Sequence, residues 1–189
     1  MKSPKLNETA ERYIYADYAG WDDENRYELI DGAAYLMSPG PSQMHQRIIK
    51  RFVRQLDGFL DGKSCEVFIS PSDVCLNADG DNDDSVIQPD LFIVCDDSKL
   101  DGQICNGAPD MVIEVLSPST ASRDMLLKFN KYLKAGVREY WIVDPETKMV
   151  RVCVLNGEKY DIDDYFCADT DEVAVRILTG CMINLKKIF

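Results

Sequence analysis

The sequence predicts a single α/β domain in which helices flank a mixed β-sheet, in the order helix, three strands, helix, strand (αβββαβ). Two observations predict this fold class. Segments with helical periodicity alternate with short apolar segments bounded by turn residues. The chain also has 189 residues and 46% hydrophobic content, enough for one compact domain with a buried core. We expect residues 1–25 to form an N-terminal appendage with a candidate helix at Glu8–Tyr18, and residues 26–189 to form the domain.

The domain is predicted to begin with a hairpin followed by a long helix. Arg26–Met37 indicates two short strands, because Asp31-Gly32 is a favoured two-residue hairpin turn. Segment 38–41 then interrupts the chain with proline and glycine. Ser42 is a suitable N-cap for a helix that runs to about Leu60.

Short strands follow, with a second helix among them. Strands are predicted at Cys65–Ser70, Asp73–Leu76, Pro89–Cys95, Pro109–Leu116, Glu139–Asp144, Met149–Leu155 and Val173–Leu178. Pro109–Leu116 is almost continuously apolar, which is typical of a strand buried on both faces. The second helix is predicted to run from Ser119 or Thr120 to Ala135 and to end at Gly136, a residue suited to a left-handed cap.

Composition and patterning exclude several classes of protein. No apolar run approaches the roughly 18 residues that a membrane-spanning helix requires. The first residues lack the apolar core of a signal peptide, so we expect a soluble cytoplasmic protein. The seven cysteines include no C-x-x-C pair and His45 is the only histidine, which argues against a structural zinc site. The odd cysteine count argues against a disulfide framework, and we interpret most of these cysteines as small core side chains.

The net charge of −12 counts against strong nonspecific binding to nucleic acid, which requires neutralisation of phosphates. Positive charge is nevertheless concentrated on one face of the first helix, at Arg47, Lys50, Arg51 and Arg54. This stripe is either a contact for a nucleic-acid backbone or a solvated face paired with acidic loops. The acidic segment 77–84 is interpreted as a solvated loop, because it lacks the glutamate and the flanking helices of a calcium-binding loop.

Two carboxylates interrupt apolar strands and are the first candidates for a functional site. Asp90 opens one predicted strand, and Glu114 lies inside the next. Burial of a lone carboxylate is costly unless the group is paired, protonated or bound to a metal. Two acids on neighbouring strands can converge on one cation, and oxygen ligands suit Mg²⁺ or Mn²⁺. The competing interpretation is a structural ion pair of each acid with lysine or arginine.

The two predicted helices add further candidates. The apolar stripe of the second helix is predicted to consist of Met125, Leu126, Phe129, Tyr132 and Leu133. Lys128 lies about 100° from Phe129 and can lean toward the sheet, whereas Lys131, about 160° away, is expected to face water. An ammonium group beside a metal can orient water or offset negative charge, although an edge lysine also simply extends to solvent. His45, in the apolar stripe of the first helix, either reaches the site or is a core histidine bonded to the backbone.

These segments together resemble the Uma-type family of putative restriction endonucleases, a branch of the PD-(D/E)XK nuclease superfamily. The resemblance covers about residues 25–155. The motifs that carry it are Tyr27–Gly32, His45, Gln88–Leu91, Ala108–Thr120, Lys128 and Gly136–Pro145. It implies a restriction-endonuclease-like fold and a metal-dependent endonuclease that hydrolyses phosphodiester bonds, with DNA as the expected substrate and Mg²⁺ or Mn²⁺ as the cofactor.

The resemblance also implies a set of metal ligands. Asp90 and Glu114 correspond to the acids of the superfamily motif, and the backbone carbonyl of Val115 is expected to add a third ligand. The lysine of the motif should follow two residues after the glutamate, where this chain has Leu116. The motif is therefore incomplete on the strand itself.

In this branch the lysine has moved onto the following helix, where Lys128 is the best match and Lys131 the alternative. Glu28 and His45 match family positions in the outer part of the same site, where Glu28 is expected to bind a second metal or to position the metal ligands. A homodimer is a natural expectation, since cutting both strands of DNA needs two sites. Two other functions stay open: a catalytically degenerate domain that binds nucleic acid or protein, and a hydrolase of another phosphoester such as a nucleotide.

Overall fold

The computed structural model describes residues 3–4, 11–37, 40–117 and 123–189. The helices are α1 (Tyr15–Tyr18), α2 (Gln43–Leu60) and α3 (Arg123–Ala135). The strands are β1 (Tyr27–Ile30), β2 (Ala33–Leu36), β3 (Glu66–Ile69), β4 (Val74–Cys75), β5 (Val86–Ile87), β6 (Leu91–Val94), β7 (Cys105–Asn106), β8 (Met111–Val115), β9 (Glu139–Asp144), β10 (Met149–Asn156), β11 (Lys159–Phe166), β12 (Glu172–Ala174) and β13 (Met182–Asn184). The predicted helix start at Ser119 or Thr120 and the side chain of Met125 lie outside what is described.

A six-stranded mixed sheet forms the centre of the molecule, with strand order β11-β10-β9-β8-β6-β3. Its neighbouring strands are antiparallel except for β8 and β9, which run parallel. A parallel pair requires a crossover connection, and α3 lies in that connection. The predicted α/β class with a mixed sheet is confirmed.

The helices cover opposite faces of this sheet. Side chains on one face, including Leu91 and Ile93 of β6, pack with the buried stripe of α2. Side chains on the other face, including Phe92 of β6, pack with Tyr132 and other apolar residues of α3. The alternation along β6 follows from the two-residue period of a strand. A sheet covered on both sides explains why β6, β8 and β9 are almost entirely apolar.

Local sequence signals explain the first hairpin and α2. Asp31 and Gly32 both have positive φ, 50° and 76°, as a type I′ turn between β1 and β2 requires. The Ser42 side chain accepts a hydrogen bond from the backbone N–H of His45 and caps α2 as predicted. The helix ends at Leu60, and its buried side chains recur at helical spacing.

A smaller three-stranded sheet, β5-β4-β7, packs beside the hairpin. The segment before β1 covers this region, because the aromatic side chains of Tyr13, Tyr15, Tyr18 and Trp21 pack against the cluster that contains Leu29 and Cys75. This part of the core is thus largely aromatic. It places the β1–β2 hairpin over the beginning of β6.

One strand of the central sheet was missed by the sequence analysis, which was also wrong about disulfides. Strand β11 was not expected, because its charged side chains hide the alternating pattern of a strand at the sheet edge. The expectation against disulfides also fails, since Cys65 and Cys95 are bonded to each other. The antiparallel pairing of β3 with β6 places Glu66 opposite Val94, so the two cysteines meet one position beyond that pair. The other five cysteines are free, and four of them are buried.

Most of the acidic loop 77–84 is exposed, as predicted, and Asp83 is the exception. Asp83 is fully buried, and its carboxylate accepts hydrogen bonds from the backbone N–H groups of Asn77 and Ser85, both at 2.8 Å. The loop therefore folds around one of its own acids, and nearby backbone N–H groups donate the hydrogen bonds that burial of this carboxylate requires. Among the helices of the described residues, none is both long and apolar enough to cross a membrane.

Candidate active site

Asp90 and Glu114 meet because β6 and β8 are antiparallel. The start of β6 lies beside the end of β8, with Leu91 opposite Ile113. The backbone N–H of Val115 donates to Oδ2 of Asp90 at 2.8 Å. Both carboxylates therefore lie at the same end of the sheet, as the sequence predicted. Val115, whose backbone carbonyl is the third expected ligand, thus lies beside Asp90.

Lys128 joins two carboxylates from separate elements. Its Nζ lies 3.0 Å from Oε1 of Glu114 and 2.8 Å from Oε1 of Glu28, which comes from β1. The backbone N–H of Gln88 donates to the same Glu28 oxygen at 3.0 Å, and Tyr132 OH donates to Oε1 of Glu114 at 2.7 Å. All of these side chains are largely buried. The hairpin, β8 and α3 thus converge on one ammonium group.

His45 reaches the site from α2. Its Nε2 lies 3.0 Å from Oδ2 of Asp90, whereas its buried Nδ1 has no hydrogen-bond partner among the described residues. Burial by itself lowers the pKa of His45. The hydrogen bond and charge of Asp90, with smaller contributions from Glu114 and the Val115 backbone, outweigh burial and leave the pKa above its usual value of 6.5. Of the two interpretations left open for His45, contact with the site is the one observed.

The electrostatics of the site are dominated by its three carboxylates. Burial raises the pKa of Glu114 to about 7; Lys128 opposes this shift, while Asp90 and Glu28 add to it. Burial alone lowers the pKa of Lys128, but Glu114 and Glu28 more than compensate and keep it above its usual value of 10.5. Three acids share one lysine and one histidine. The three acids therefore outnumber the two basic side chains of this region.

Lys131 does not face water as predicted. It is only 9% exposed, and its Nζ donates to Ser85 Oγ at 3.0 Å and pairs with Asp31. Leu126, placed in the predicted apolar stripe, is instead 65% exposed. Both errors have one cause. The predicted apolar stripe was centred near Phe129, whereas the buried face of α3 is centred between Lys128 and Tyr132, so the helix is rotated about its axis relative to the prediction. Carboxylates on the opposing elements make that burial of lysines possible.

Two residues of this region were missed by the sequence analysis. Tyr132 was assigned to the core, although its position four residues after Lys128 places both on one helix face. Gln88 supplies the N–H that fixes Glu28, and its side chain donates to Tyr18 OH at 3.0 Å and to Asp73 at 2.7 Å. Arg26 donates to the Gln88 side-chain oxygen. The position of Gln88, immediately before Pro89-Asp90, was the available signal.

The donor set fits a hard divalent cation. Each of Asp90, Glu114 and Glu28 uses one oxygen for the contacts described above, and the other oxygen makes no hydrogen bond to residues that the structure describes. Mg²⁺ is typically held by one or two carboxylates plus water, so two acids and a carbonyl suffice. Within the described ranges, no group of three or more His, Cys, Asp or Glu side chains is arranged so that these side chains alone could hold a metal ion.

Comparison with known proteins agrees with this architecture. A family model described as "Uma2: Putative restriction endonuclease" matches residues 15–185. An uncharacterized protein of Synechocystis sp. is 33% identical over 118 residues, which cover 61% of this chain and 60% of that protein. The crystal structure of a "putative nuclease" from Anabaena variabilis superimposes with a TM-score of 0.73 at 20% identity, covering 93% of this chain and 97% of the other. That match confirms the predicted fold.

Proposed function

Because this chain belongs to the Uma2 family of putative restriction endonucleases, we propose that it is an endonuclease that hydrolyses phosphodiester bonds in DNA with a divalent cation. The observation that carries the proposal is the surplus of carboxylates in a largely buried site, where Glu28 and Glu114 share Lys128 and Asp90 pairs with His45. Structural ion pairs in protein interiors are normally balanced, since an uncompensated buried charge is costly. A surplus of carboxylates is what a cation site needs.

Asp90, Glu114 and the backbone carbonyl of Val115 are the ligands we propose for Mg²⁺ or Mn²⁺. When bound, such a cation polarises a phosphate oxygen and lowers the pKa of a bound water. Their placement on adjacent antiparallel strands makes this part of the site rigid. The Val115 N–H bond to Asp90 fixes that carboxylate from the sheet side.

Lys128 is the proposed catalytic lysine. Glu114 and Glu28 hold its ammonium group protonated at neutral pH, so it can offset negative charge on the phosphate or orient the attacking water. Tyr132 donates to Glu114 and helps to orient that carboxylate. Glu28 and His45 position Lys128 and Asp90 respectively, through the contacts at 2.8 Å and 3.0 Å.

The test is nicking of supercoiled plasmid in Mg²⁺ or Mn²⁺. We expect Glu114→Gln and Lys128→Met to reduce nicking by at least about 100-fold, because the first removes a proposed metal ligand and the second removes the ammonium group that offsets charge on the phosphate. The matched controls are Glu139→Gln, also a buried strand glutamate, and Lys131→Met, also a buried lysine of α3. Both should retain nicking at temperatures where they remain folded. Absence of nicking by the unmodified protein, together with no heat of Mn²⁺ binding, would overturn the proposal.

A second candidate is a domain that binds nucleic acid without cleaving it. Two observations favour it. Leu116 stands in place of the motif lysine, and Lys128 directly contacts both Glu28 and Glu114, so its ammonium group pairs with carboxylates that a cation would otherwise use. Such a domain would bind DNA in EDTA, show no nicking in either metal, and release no heat when Mn²⁺ is titrated in. Nicking that depends on metal would exclude it.

A further inference from the structure

Two segments of this acidic protein carry a net positive charge. Segment 43–56 of α2 contains four basic residues and no acid, and segment 184–189 contains two lysines and no acid. The rest of the chain contains the other 15 basic residues and all 33 acidic residues, so its net charge is −18. The two segments pack together. Gln55 exchanges hydrogen bonds with the backbone of Asn184, and Arg51 donates to the carbonyl oxygens of Ile188 and Phe189.

Three side chains of α2 remain available on its outer face. Arg47, Lys50 and Arg54 are exposed, and none of them forms an ion pair with any residue that the structure describes. We call these three residues the basic ridge. Arg51 is not included, because its guanidinium is engaged with the C-terminal segment. The ridge therefore carries positive charge that no acidic side chain of the described residues pairs with. The alternative interpretation of this stripe, a solvated face paired with acidic loops, would require such pairs.

The same helix connects the ridge to the candidate active site. His45, which contacts Asp90, lies in the first turn of α2, and the ridge begins two residues later on the opposite, outward face of the same helix. From Arg47 to Arg54 the ridge extends about 10 Å along the helix axis. Duplex DNA carries about one charge per 1.7 Å of its axis, so a ridge of this length lies alongside several phosphates.

We propose that the basic ridge binds the sugar–phosphate backbone of the nucleic acid beside the bond to be cut. This inference rests on the proposed function and names the surface that brings the substrate to that site. The chemistry favours a backbone over a protein partner. Between Arg47 and Arg54 the helix exposes no large apolar side chain, whereas the centre of a protein interface is apolar or aromatic. Contact through unpaired cations is the sequence-independent mode of nucleic-acid binding.

The experiment measures binding without cleavage. A short fluorescein-labelled DNA duplex is titrated with protein in EDTA at several KCl concentrations, and anisotropy gives the affinity and its salt dependence. The test variant is Arg47→Gln/Lys50→Gln/Arg54→Gln. The matched control is Lys134→Gln/Lys148→Gln/Lys159→Gln, which removes the same charge from exposed positions elsewhere. Thermal unfolding confirms that both variants remain folded.

We expect the slope of log K against log salt to fall by about 3 in the ridge variant and to change little in the control, with affinity at low salt reduced at least about tenfold. Equal losses in the two variants would overturn the ridge, because only overall charge would then matter. Failure of the unmodified protein to bind at low salt would also overturn it. Plasmid nicking is scored separately, so nicking without ridge-dependent binding would leave the proposed function standing while removing this inference.

Discussion

At the residue scale, the chain contains two Pro-Asp pairs before neighbouring strands of the central sheet, and only one of them belongs to the site. Pro89-Asp90 precedes β6, and Pro109-Asp110 precedes β8. Because β6 and β8 are antiparallel, the two aspartates lie at opposite ends of the sheet. Asp110 is fully engaged as a structural acid, accepting from the Cys95 N–H and from Arg138, both at 2.8 Å. Asp90 has no lysine or arginine partner among the described residues.

This contrast gives a prediction for metal binding. Saturating Mn²⁺ at 100 times its dissociation constant should stabilise the protein by about 2.7 kcal/mol, seen as a rise in Tm. Asp90→Asn should abolish that rise, because it removes a ligand. Asp110→Asn should lower Tm in the absence of metal, through a weakened buried hydrogen bond worth about 1 kcal/mol, yet preserve the Mn²⁺-dependent rise. A rise retained by Asp90→Asn would contradict the assignment of this carboxylate.

Sequence pattern alone could not select the site acids. Glu139 also interrupts an apolar strand and is fully buried, but its two oxygens accept from the Trp141 indole N–H at 2.7 Å and the Ile177 backbone N–H at 2.8 Å. It is a structural group that looks like Glu114 in the sequence. What separated them was the resemblance to known motifs. The partners that make Glu139 structural come from positions whose proximity only the fold reveals.

At the scale of elements, local signals gave correct predictions and non-local ones did not. The β1–β2 turn and the start of α2 depend on residues within a few positions, Asp31-Gly32 and Ser42. Strand β11 lies at the sheet edge, so neither of its faces had to be apolar; the one local cue was the two-residue turn at Gly157. Which face of α3 is buried depends on carboxylates from other elements that pair with its lysines. A helical wheel drawn from the helix sequence alone does not include them.

The Cys65–Cys95 bond gives a prediction at this scale. Strand β3 is an edge strand with one neighbour, and the bond ties it to β6 across a sequence separation of 30 residues. Loss of a cross-link that closes a loop of this size should cost about 3.6 kcal/mol. We expect Cys65→Ser/Cys95→Ser to unfold at lower temperature than the oxidised protein, and reductant to lower the Tm of the unmodified protein only. The control is Cys167→Ser, which changes a free, partly exposed cysteine.

That prediction has a direct chemical check. Alkylation of the denatured, unreduced protein should modify five cysteines, and mass spectrometry should find the peptides of Cys65 and Cys95 joined. Seven alkylated cysteines would show that the pair is not oxidised. An unchanged Tm in the double variant would show that β3 needs no such link.

At the scale of the whole molecule, the interior contains many weak acids that burial keeps protonated. Burial raises the pKa of Cys75 and Cys153 to about 12 and that of Cys105 to about 11. It also raises the phenol pKa values of Tyr132 and Tyr140, whose rings pack 4.9 Å apart beneath α3. These thiols and phenols are therefore uncharged at neutral pH.

These shifts predict alkaline instability. The folded pKa values exceed the ordinary values of 9.0 for a thiol and 10.0 for a phenol, so the unfolded chain releases these protons first. The stabilisation is complete below about pH 9 and is lost as pH rises, by about 1.4 kcal/mol per pH unit for each such group. Thermal unfolding between pH 8 and pH 11 should show this decline, with a shallower slope in Cys153→Val. A Tm that is constant over this range would contradict it.

The position of Lys128 on α3 has a practical consequence for recognising related chains. The lysine lies 14 residues after Glu114 and 3.0 Å from it, because the crossover between two parallel strands returns past the end of the first. A pattern search that demands a lysine two residues after the glutamate therefore discards this chain, which has Leu116 there. A search defined by distance, which accepts any lysine of the adjoining helix whose nitrogen lies beside a strand-end glutamate, retains this chain. The same holds for any chain in which the lysine beside the strand glutamate comes from the crossover helix.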